Sequence, residues 1–321
     1  DLNFANSSST RHRRNIPMTP LVSIGFPVYN GAEFLSRALD SILSQDFKDF
    51  EIIIADNAST DDTERLCRDY AKKDSRIRYV RNPTNIGVNP NHNLVFEMNR
   101  GRYFAWAAHD IEQLPGMLSR CVREMQTGPG APVLVYPRCE LAGDSGMPAG
   151  WQQPSIASNH AKPSQRVDAV IRNIVFVTQH YGLFDTGALR KTRLNGSYPS
   201  SDYVLTAELA MLGEIREIPE VLLRRTIQKN RGTAAVINDK RAWVAFSGHN
   251  ARSRTLLSIR ERLTIEYFRA PWRLPLKFTE RCACSLAAVT AHYRKELWEH
   301  SGPRGRRFVQ FLGGFRRMLG K

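Results

Sequence analysis

Two aspartates stand where an α/β sheet can use them. Residues 51–63 read EIIIADNASTDDT: an apolar run suited to a strand buried on both faces ends on Asp56, and an Asx/Ser/Thr turn then opens a helical pattern. Residues 101–115 read GRYFAWAAHDIEQLP, a strand of aromatic and small residues running into His109, Asp110, Ile111 and Glu112, with a helix expected from near Pro115. Open α/β sheets bind ligands beyond the carboxyl ends of their strands, so both carboxylates are placed to meet one. An acidic residue there suits a divalent cation bound to a diphosphate. Mg2+ or Mn2+ prefers hard oxygen ligands, keeps several waters and needs only one or two protein carboxylates. Asp110 is the candidate metal ligand.

The elements that must position these residues come as a repeated unit. Residues 21–26 form a strand-like run, followed by Pro27, Val28, Tyr29 and Asn30 and then the helical spacing Phe34, Leu35, Ala38, Leu39, Ile42, Leu43. Two strand-turn-helix units in tandem suggest a nucleotide-binding half. The pattern continues with strand 77–81, helix 91–99, strand 102–107, helix 114–125 and strand 132–136, which together predict a mostly parallel sheet covered by helices. Residues 143–163 (GDSGMPAGWQQPSIASNHAKP) break regular structure and read as a mobile surface loop, with a lid as the alternative. A helix at 166–177, a short one at 203–212 and a strand at 214–227 follow. From 239 the chain turns helical and basic.

Composition narrows the class. At 321 residues and 42% hydrophobic content the chain can bury an ordinary globular core, whereas residues 1–20 lack periodicity and read as a flexible leader. Five scattered cysteines (Cys67, Cys121, Cys139, Cys282, Cys284) with no C-x-x-C spacing argue against zinc or a disulfide framework and fit a reducing cytoplasm. No apolar stretch approaches the ~18 to 20 residues that span a bilayer, and the leader has no signal-peptide core. The net charge is +15, and residues 252–321 hold 16 Lys/Arg against 5 Asp/Glu. The chain lacks the aromatic-basic interleaving of a nucleic-acid module, and acidic strand ends repel phosphates unless a cation intervenes, so no nucleic acid is expected. The segment 304–321 (RGRRFVQFLGGFRRMLGK) places Phe308, Phe311, Leu312, Phe315, Met318 and Leu319 on one helical face between arginines. It reads either as a helix on an anionic membrane, making the protein peripheral at the inner face of the plasma membrane, or as a helix docked on the domain.

Four ordered motifs together resemble the family 2 inverting glycosyltransferases: VSIGFPVYN at 22–30, IIIADNASTDDT at 52–63, NIGVNPNHN at 85–93, and the strand leading to Asp110. The likeness extends to about residue 140, and its specificity lies in the order of the motifs. It implies a single α/β domain of the GT-A type over 21–238, with a nucleotide-sugar half (21–140), an acceptor half (141–238) and a basic helical C-terminal region (239–321). By the same likeness Asp56 recognises the nucleotide base. Pro27, Tyr29, Asn30, Glu33, Asn57, Asn85, Gly87, Asn91 and His109 belong to the nucleotide site, and Asp110 holds Mg2+ or Mn2+. The family's usual Asp-x-Asp is here Ala108, His109, Asp110, followed by Ile111, which implies weakened or altered metal use.

In the second half, GLFDTGALR (182–190) resembles an acceptor-side segment, and YPSSDYVLTAELAML (198–212) resembles the acidic motif at a helix start. Asp202 then corresponds to the general base, with Glu208 as a substitute on the same helix. On the residues alone, Asp56, Asp110 and Asp202 are equally suited to turns or helix caps, and Ser59 and Thr60 are assigned to capping. His180 and Tyr181 suit either an acceptor site or a core; Arg224, Arg225 and Lys229 suit either phosphate or solvent. The resemblance implies an inverting, metal-dependent hexosyltransferase. It would use a nucleoside-diphosphate sugar, a UDP-sugar being favoured, and a glycan or lipid-linked acceptor in cell-surface polysaccharide or glycolipid synthesis. A relative that binds nucleotide without transfer is the alternative, and an anionic-lipid or nucleic-acid module the third.

Overall fold

Strands β1 (Val22–Val28) and β2 (Phe50–Asp56) bury every residue, as parallel strands covered on both faces must. They pair in parallel from Val22↔Phe50 to Val28↔Asp56, and β3 (Ile77–Arg81) and β4 (Tyr103–Trp106) flank them, also in parallel. The structure is a computed structural model describing residues 19–128, 130–143, 153–227 and 257–300. Four further strands, β5 (Ile111–Gln113), β6 (Leu134–Gly143), β7 (Leu183–Asp185) and β8 (Ile215–Ile227), complete one sheet of order β3-β2-β1-β4-β7-β6-β8-β5. In this second half β7 runs antiparallel to β4 and β6, β6 and β8 run parallel, and β5 runs antiparallel to β8.

The helices are α1 (Ala32–Leu43), α2 (Thr63–Lys73), α3 (Val88–Glu97), α4 (Met117–Gln126), α5 (Pro163–Asn173), α6 (Thr186–Leu189), α7 (Ser201–Leu212), α8 (Ile259–Arg273) and α9 (Phe278–His300). One face of the sheet packs on α1, α2 and α4 through residues such as Leu39, Cys67 and Leu118; the other packs on α3, α5 and α7 through Val95, Val170 and Leu209. Each such side chain contributes roughly 1.5–3 kcal/mol by leaving water. Helix α7 is apolar nearly all round because a second layer covers it: α8 packs on α7 with Tyr267 and Ala270, and α9 packs on α5 and α8 with Ala288 and Ala291 in the same core cluster. Gly25 permits a close approach on the α3 side: a Cβ there would meet Val95 Cγ2 and Phe104 Cζ at 2.6 Å.

Several expectations change. Ile174 is extended (φ −69°, ψ 123°), so the helix expected at 166–177 is the earlier α5, begun by Pro163 at a position that needs no N–H donor. The loop at 143–163 is anchored where it is described: Ile156 is buried with its N–H on Tyr136 Oη (2.9 Å), and Ser158 bridges to Ile215. Residues 144–152 lie outside the described residues, as do 1–18, Lys229, the onset of the C-terminal region at 239–256 and the amphipathic segment 304–321. No helix among the described residues is long and apolar enough to cross a membrane.

Candidate functional site

The turns after β1 and β2 end side by side and are stitched together. Asn30 N–H donates to Ser59 Oγ (3.0 Å), Thr60 N–H to Asn30 Oδ1 (2.8 Å), and Gly31 N–H to Thr63 Oγ1 (2.9 Å). Asp61 serves both helix starts, accepting from Ala32 N–H (3.2 Å) and Thr63 N–H (3.0 Å). Burial pushes its carboxyl up, but those hydrogen bonds outweigh it and hold Asp61 below the usual carboxylate range. Ser59 and Thr60, expected to cap α2, instead bind the neighbouring turn. Among the described residues four non-glycine residues have positive φ, and three of them sit in site segments: Asn30 (49°), Ala58 (61°) and Ser200 (60°). Each costs about 1 kcal/mol or more, so the surrounding bonds must hold these turns in place.

Asp56 is fully buried at the end of β2. Its Oδ1 accepts from Ser59 N–H (2.9 Å), and its Oδ2 from Tyr79 Oη (2.9 Å) and Arg81 Nη1 (2.7 Å). Asp56 and Arg81 are register partners across β2 and β3, so the two strands end on a carboxylate and a guanidinium held together. Sequence reasoning missed Arg81, although the signal was present: it closes β3 as Asp56 closes β2. Burial, then Asp56, push the Tyr79 phenol well up, so it stays a donor.

The other motif residues divide into two groups. Asn57 spends its whole amide on the loop before α3: it donates to Asn85 Oδ1 (2.8 Å) and Gly87 O (3.3 Å) and accepts from Asn82 Nδ2 (3.0 Å) and Ile86 N–H (2.9 Å). Asn91 is buried between Ala55 O (2.9 Å) and Asn82 Nδ2 (2.9 Å). Gly87 precedes α3 at φ 90°, a region glycine enters without strain. These residues shape the pocket rim, and Pro27 lies inside β1 opposite Ala55. Tyr29 and Glu33 are exposed above the strand ends.

Asp110 follows β4 but does not directly precede a helix, because Ile111 opens β5. Pairing of β5 with β8 sets Ile111 opposite Arg225, which places Arg225 Nε 3.2 Å from Asp110 Oδ2 while Thr226 N–H donates to Asp110 O (2.9 Å). Both side chains of the ion pair remain 24% exposed. Arg225 also lies over the Tyr181 ring (5.9 Å to the centroid). His109 packs against the β1 turn: a Cβ on Gly31 would stand 2.9 Å from His109 Cγ. Arg224, by contrast, pairs with Glu140 at the surface (2.9 Å).

The donor set limits what metal this edge can hold. Ala108 contributes no side-chain oxygen, Asp110 has one oxygen engaged by Arg225, and no three His, Cys, Asp or Glu residues gather among the described residues. That fits a hard cation that takes most of its ligands from a diphosphate and water, with Asp110 as anchor, and does not fit a cage of protein ligands.

Asp202 lies in the first turn of α7. The N-cap is Ser200, whose side chain makes no capping bond, so Asp202 is not the helix's cap; its Oδ1 accepts from Tyr203 N–H (3.1 Å). The residue is half-buried, and its carboxylate keeps a partly open face. Burial pushes it up to about 6, against the Tyr203 amide and the charge of Arg225. The charges of Arg225, Asp110 and Asp202 all act on Tyr181, and Arg225 is the one that lies over its ring. Glu208 does not join them. It is buried between Arg193 N–H (2.9 Å) and Arg273 (3.7 Å) on the α8 side, so it is a structural ion of that layer. His180 is a core residue stacked on Trp106 (4.2 Å, 15°), and burial drives it well below its ordinary value, so it is neutral.

Asp56 ends β2 and Asp110 follows β4, and β1 lies between those two strands in the sheet. Each of the two aspartates is thus paired with an arginine, Asp56 with Arg81 and Asp110 with Arg225.

Comparison with known proteins gives the same direction. The family model described as glycosyl transferase family 2 matches residues 23–193, more than half of the chain. An uncharacterized glycosyltransferase of Rickettsia prowazekii is 29% identical over 240 residues, 68% of each chain. A GalNAc(5)-diNAcBac-PP-undecaprenol beta-1,3-glucosyltransferase of Campylobacter jejuni is 36% identical over 110 residues, 34% of this chain and 36% of that one. S. aureus TarS 1-349, solved in complex with UDP-GlcNAc, superposes with a TM-score of 0.60 at 14% identity, over 85% of this chain and 72% of that one. The mannosyltransferase PcManGT from Pyrobaculum calidifontis, in complex with GDP-Man and Mn2+, gives 0.50 at 14% identity, over 93% and 81%. At such identities the structural likeness establishes the fold, a single GT-A-like domain with C-terminal helices.

Proposed function

The chain belongs to glycosyl transferase family 2, and on that premise we propose that it moves a hexosyl unit, with inversion, from a nucleoside diphosphate to a glycan or lipid-linked acceptor. The product class is cell-surface polysaccharide or glycolipid, made at the cytoplasmic face of the membrane. The observation that carries this reading is the Asp110–Arg225 ion pair beyond the strand ends, supported by the charge of Arg225 acting also on Asp202 in the first turn of α7. In this reading residues 21–140 bind the donor and 141–238 the acceptor.

Asp56 and Arg81 read the base. A carboxylate offers about four acceptor positions and Asp56 uses three, so one remains for a ring N–H while Arg81 donates to an adjacent carbonyl. That pairing fits a uracil edge, as it does a guanine edge, and excludes adenine; a UDP-sugar is the donor proposed. Asp110 and Arg225 face the diphosphate, with Asp110 the residue to hold Mg2+ or Mn2+. Such an ion, when bound, supplies positive charge to the departing diphosphate. Asp202 accepts the proton of the acceptor hydroxyl as that oxygen bonds to the anomeric carbon; the carbon–oxygen bond to the diphosphate breaks on the opposite face and its electron pair leaves with the nucleotide. With its carboxyl near 6, Asp202 is ionised at neutral pH and still basic enough to share the proton.

The test is nucleotide release and product formation across a panel of nucleotide sugars and acceptors, repeated with Asp202→Asn. Turnover that survives this substitution removes the base assignment, and folded protein that turns over nothing removes the reading. A nucleotide-binding relative without transfer is the second reading, favoured by the Asp110–Arg225 ion pair and by Ala108. Calorimetric binding of UDP without turnover of any donor selects it.

A further inference from the structure

Exposed apolar side chains on this molecule are concentrated in one place. Seven of the eleven exposed large hydrophobics among the described residues lie on α8 and α9, including Phe268 (53%), Trp272 (41%), Phe278 (69%) and Leu286 (65%). The two helices run antiparallel: Arg260 near the start of α8 pairs with Glu296 near the end of α9 (3.7 Å), while Trp272 near the end of α8 meets Phe278 at the start of α9 (5.8 Å between ring centroids). Trp272 Nε1 donates to Ser285 Oγ (3.0 Å), and Ser285 Oγ donates to Phe268 O (2.9 Å). Phe268 lies one turn before Trp272, and Leu286 two turns beyond Phe278, so the four form one strip across the helix pair. The opposite faces carry the core contacts of Leu263, Tyr267, Ala270, Cys284 and Ala288. The strip is thus surplus to packing, and its contiguity marks an interaction surface.

Charge selects the occupant. Arg269 and Lys277 border the strip and are exposed, and the ion pairs of α8 use Arg260, Arg262 and Arg273 instead. Residues 252–321 carry 16 Lys/Arg against 5 Asp/Glu, so a second copy of this chain, or the basic segment 304–321, would bring like charge against like. Aromatic and aliphatic side chains flanked by cations match the boundary between acyl chains and anionic headgroups. We propose that the strip Phe268–Trp272–Phe278–Leu286 with Arg269 and Lys277 docks the protein on an anionic phospholipid surface. This holds whether or not Asp202 is a base. Tyr267, the sequence neighbour of Phe268, packs inward in the core shared with α7, the helix that carries Asp202. A lipid-borne acceptor would meet the site from that side.

The test uses the full chain and co-sedimentation with phosphatidylcholine vesicles, with and without phosphatidylglycerol. Binding is expected only with the anionic lipid. It should fall roughly tenfold or more in the Phe268→Ser, Phe278→Ser, Leu286→Ser triple variant and about as far in Arg269→Glu, Lys277→Glu. The charge variant carries the test should the triple variant fail to fold, and unchanged UDP binding by calorimetry separates lipid docking from the donor site. Three results overturn the proposal: no vesicle binding by the parent chain, loss confined to Phe308→Ser, Phe311→Ser, Phe315→Ser, or a concentration-dependent dimer that the triple variant dissolves.

Discussion

The edge around Asp56 and the region around Asp110 and Asp202, proposed above to take the donor and the acceptor, are built by different physics. At the edge, four parallel strands end in turns that bond mainly to their nearest neighbours, and the charge of Asp56 is met by hydrogen bonds from Ser59, Tyr79 and Arg81. Around Asp110 and Asp202 strand directions are mixed, and the partners are far apart in sequence: Arg225 reaches Asp110 across 115 residues. Here burial, the largest influence on the Asp202 carboxyl, is only partly opposed. A carboxylate held in place by three partners is suited to recognition. One with few partners and a raised proton affinity is suited to chemistry.

The contrast can be broken most decisively at Asp202. Asp202→Asn should lower kcat by about 10²–10⁴-fold while leaving UDP affinity by calorimetry unchanged; a matched loss of affinity would merge the two regions into one. Asp110→Asn should weaken Mn2+-dependent donor binding by about 10–100-fold and kcat/KM at least as far, read by calorimetry with and without Mn2+. The acid limb of the rate profile sharpens the comparison. Asp202 works as the carboxylate and its carboxyl is raised to about 6, so kcat should be flat above that pH and fall about tenfold per unit below it. Because Arg225 pulls Asp202 down, Arg225→Gln should move the limb to higher pH.

Asp56→Ala should act on the fold as well as on binding. It leaves the Tyr79 phenol and the Ser59 amide without an acceptor, a cost of about 2–3 kcal/mol by thermal or urea unfolding, together with lost preference among nucleotide bases. The smallest effect is expected at Glu208, whose carboxyl is pushed up to about 7 by burial on the α8 side. Glu208→Gln should leave kcat within about twofold, since it removes a charge from the helix layer rather than from the region around Asp202. A hundredfold loss would reinstate it as a base.

Legibility in the sequence follows the same divide. Strand β3 was readable to the residue and β2 to its final Asp56, because both are regular apolar segments ended by a polar turn. Strands β5 and β7 have three residues each, too few to show a period, so Asp110 was expected to lead straight into a helix. Asp110 and Asp202 were named from motif order, but their common partner Arg225 was left between phosphate and solvent. Nothing local to β8 reports that it pairs with β5. Arg81 was missed for a milder reason: its strand was seen, and its register against β2 was not.

Gly25 gives the donor edge a silent control point. A methyl group at that position would have to lift α3 from the sheet, and α3 carries with it Gly87 at its start and the Asn91 bond to Ala55. A replacement with no charge and no polar atom, in the middle of a buried strand, would therefore cost about 1–3 kcal/mol of stability and disturb α3 at the same time. Screens that sort variants by ligand affinity alone would file such a change among contact residues, although it touches nothing the ligand touches.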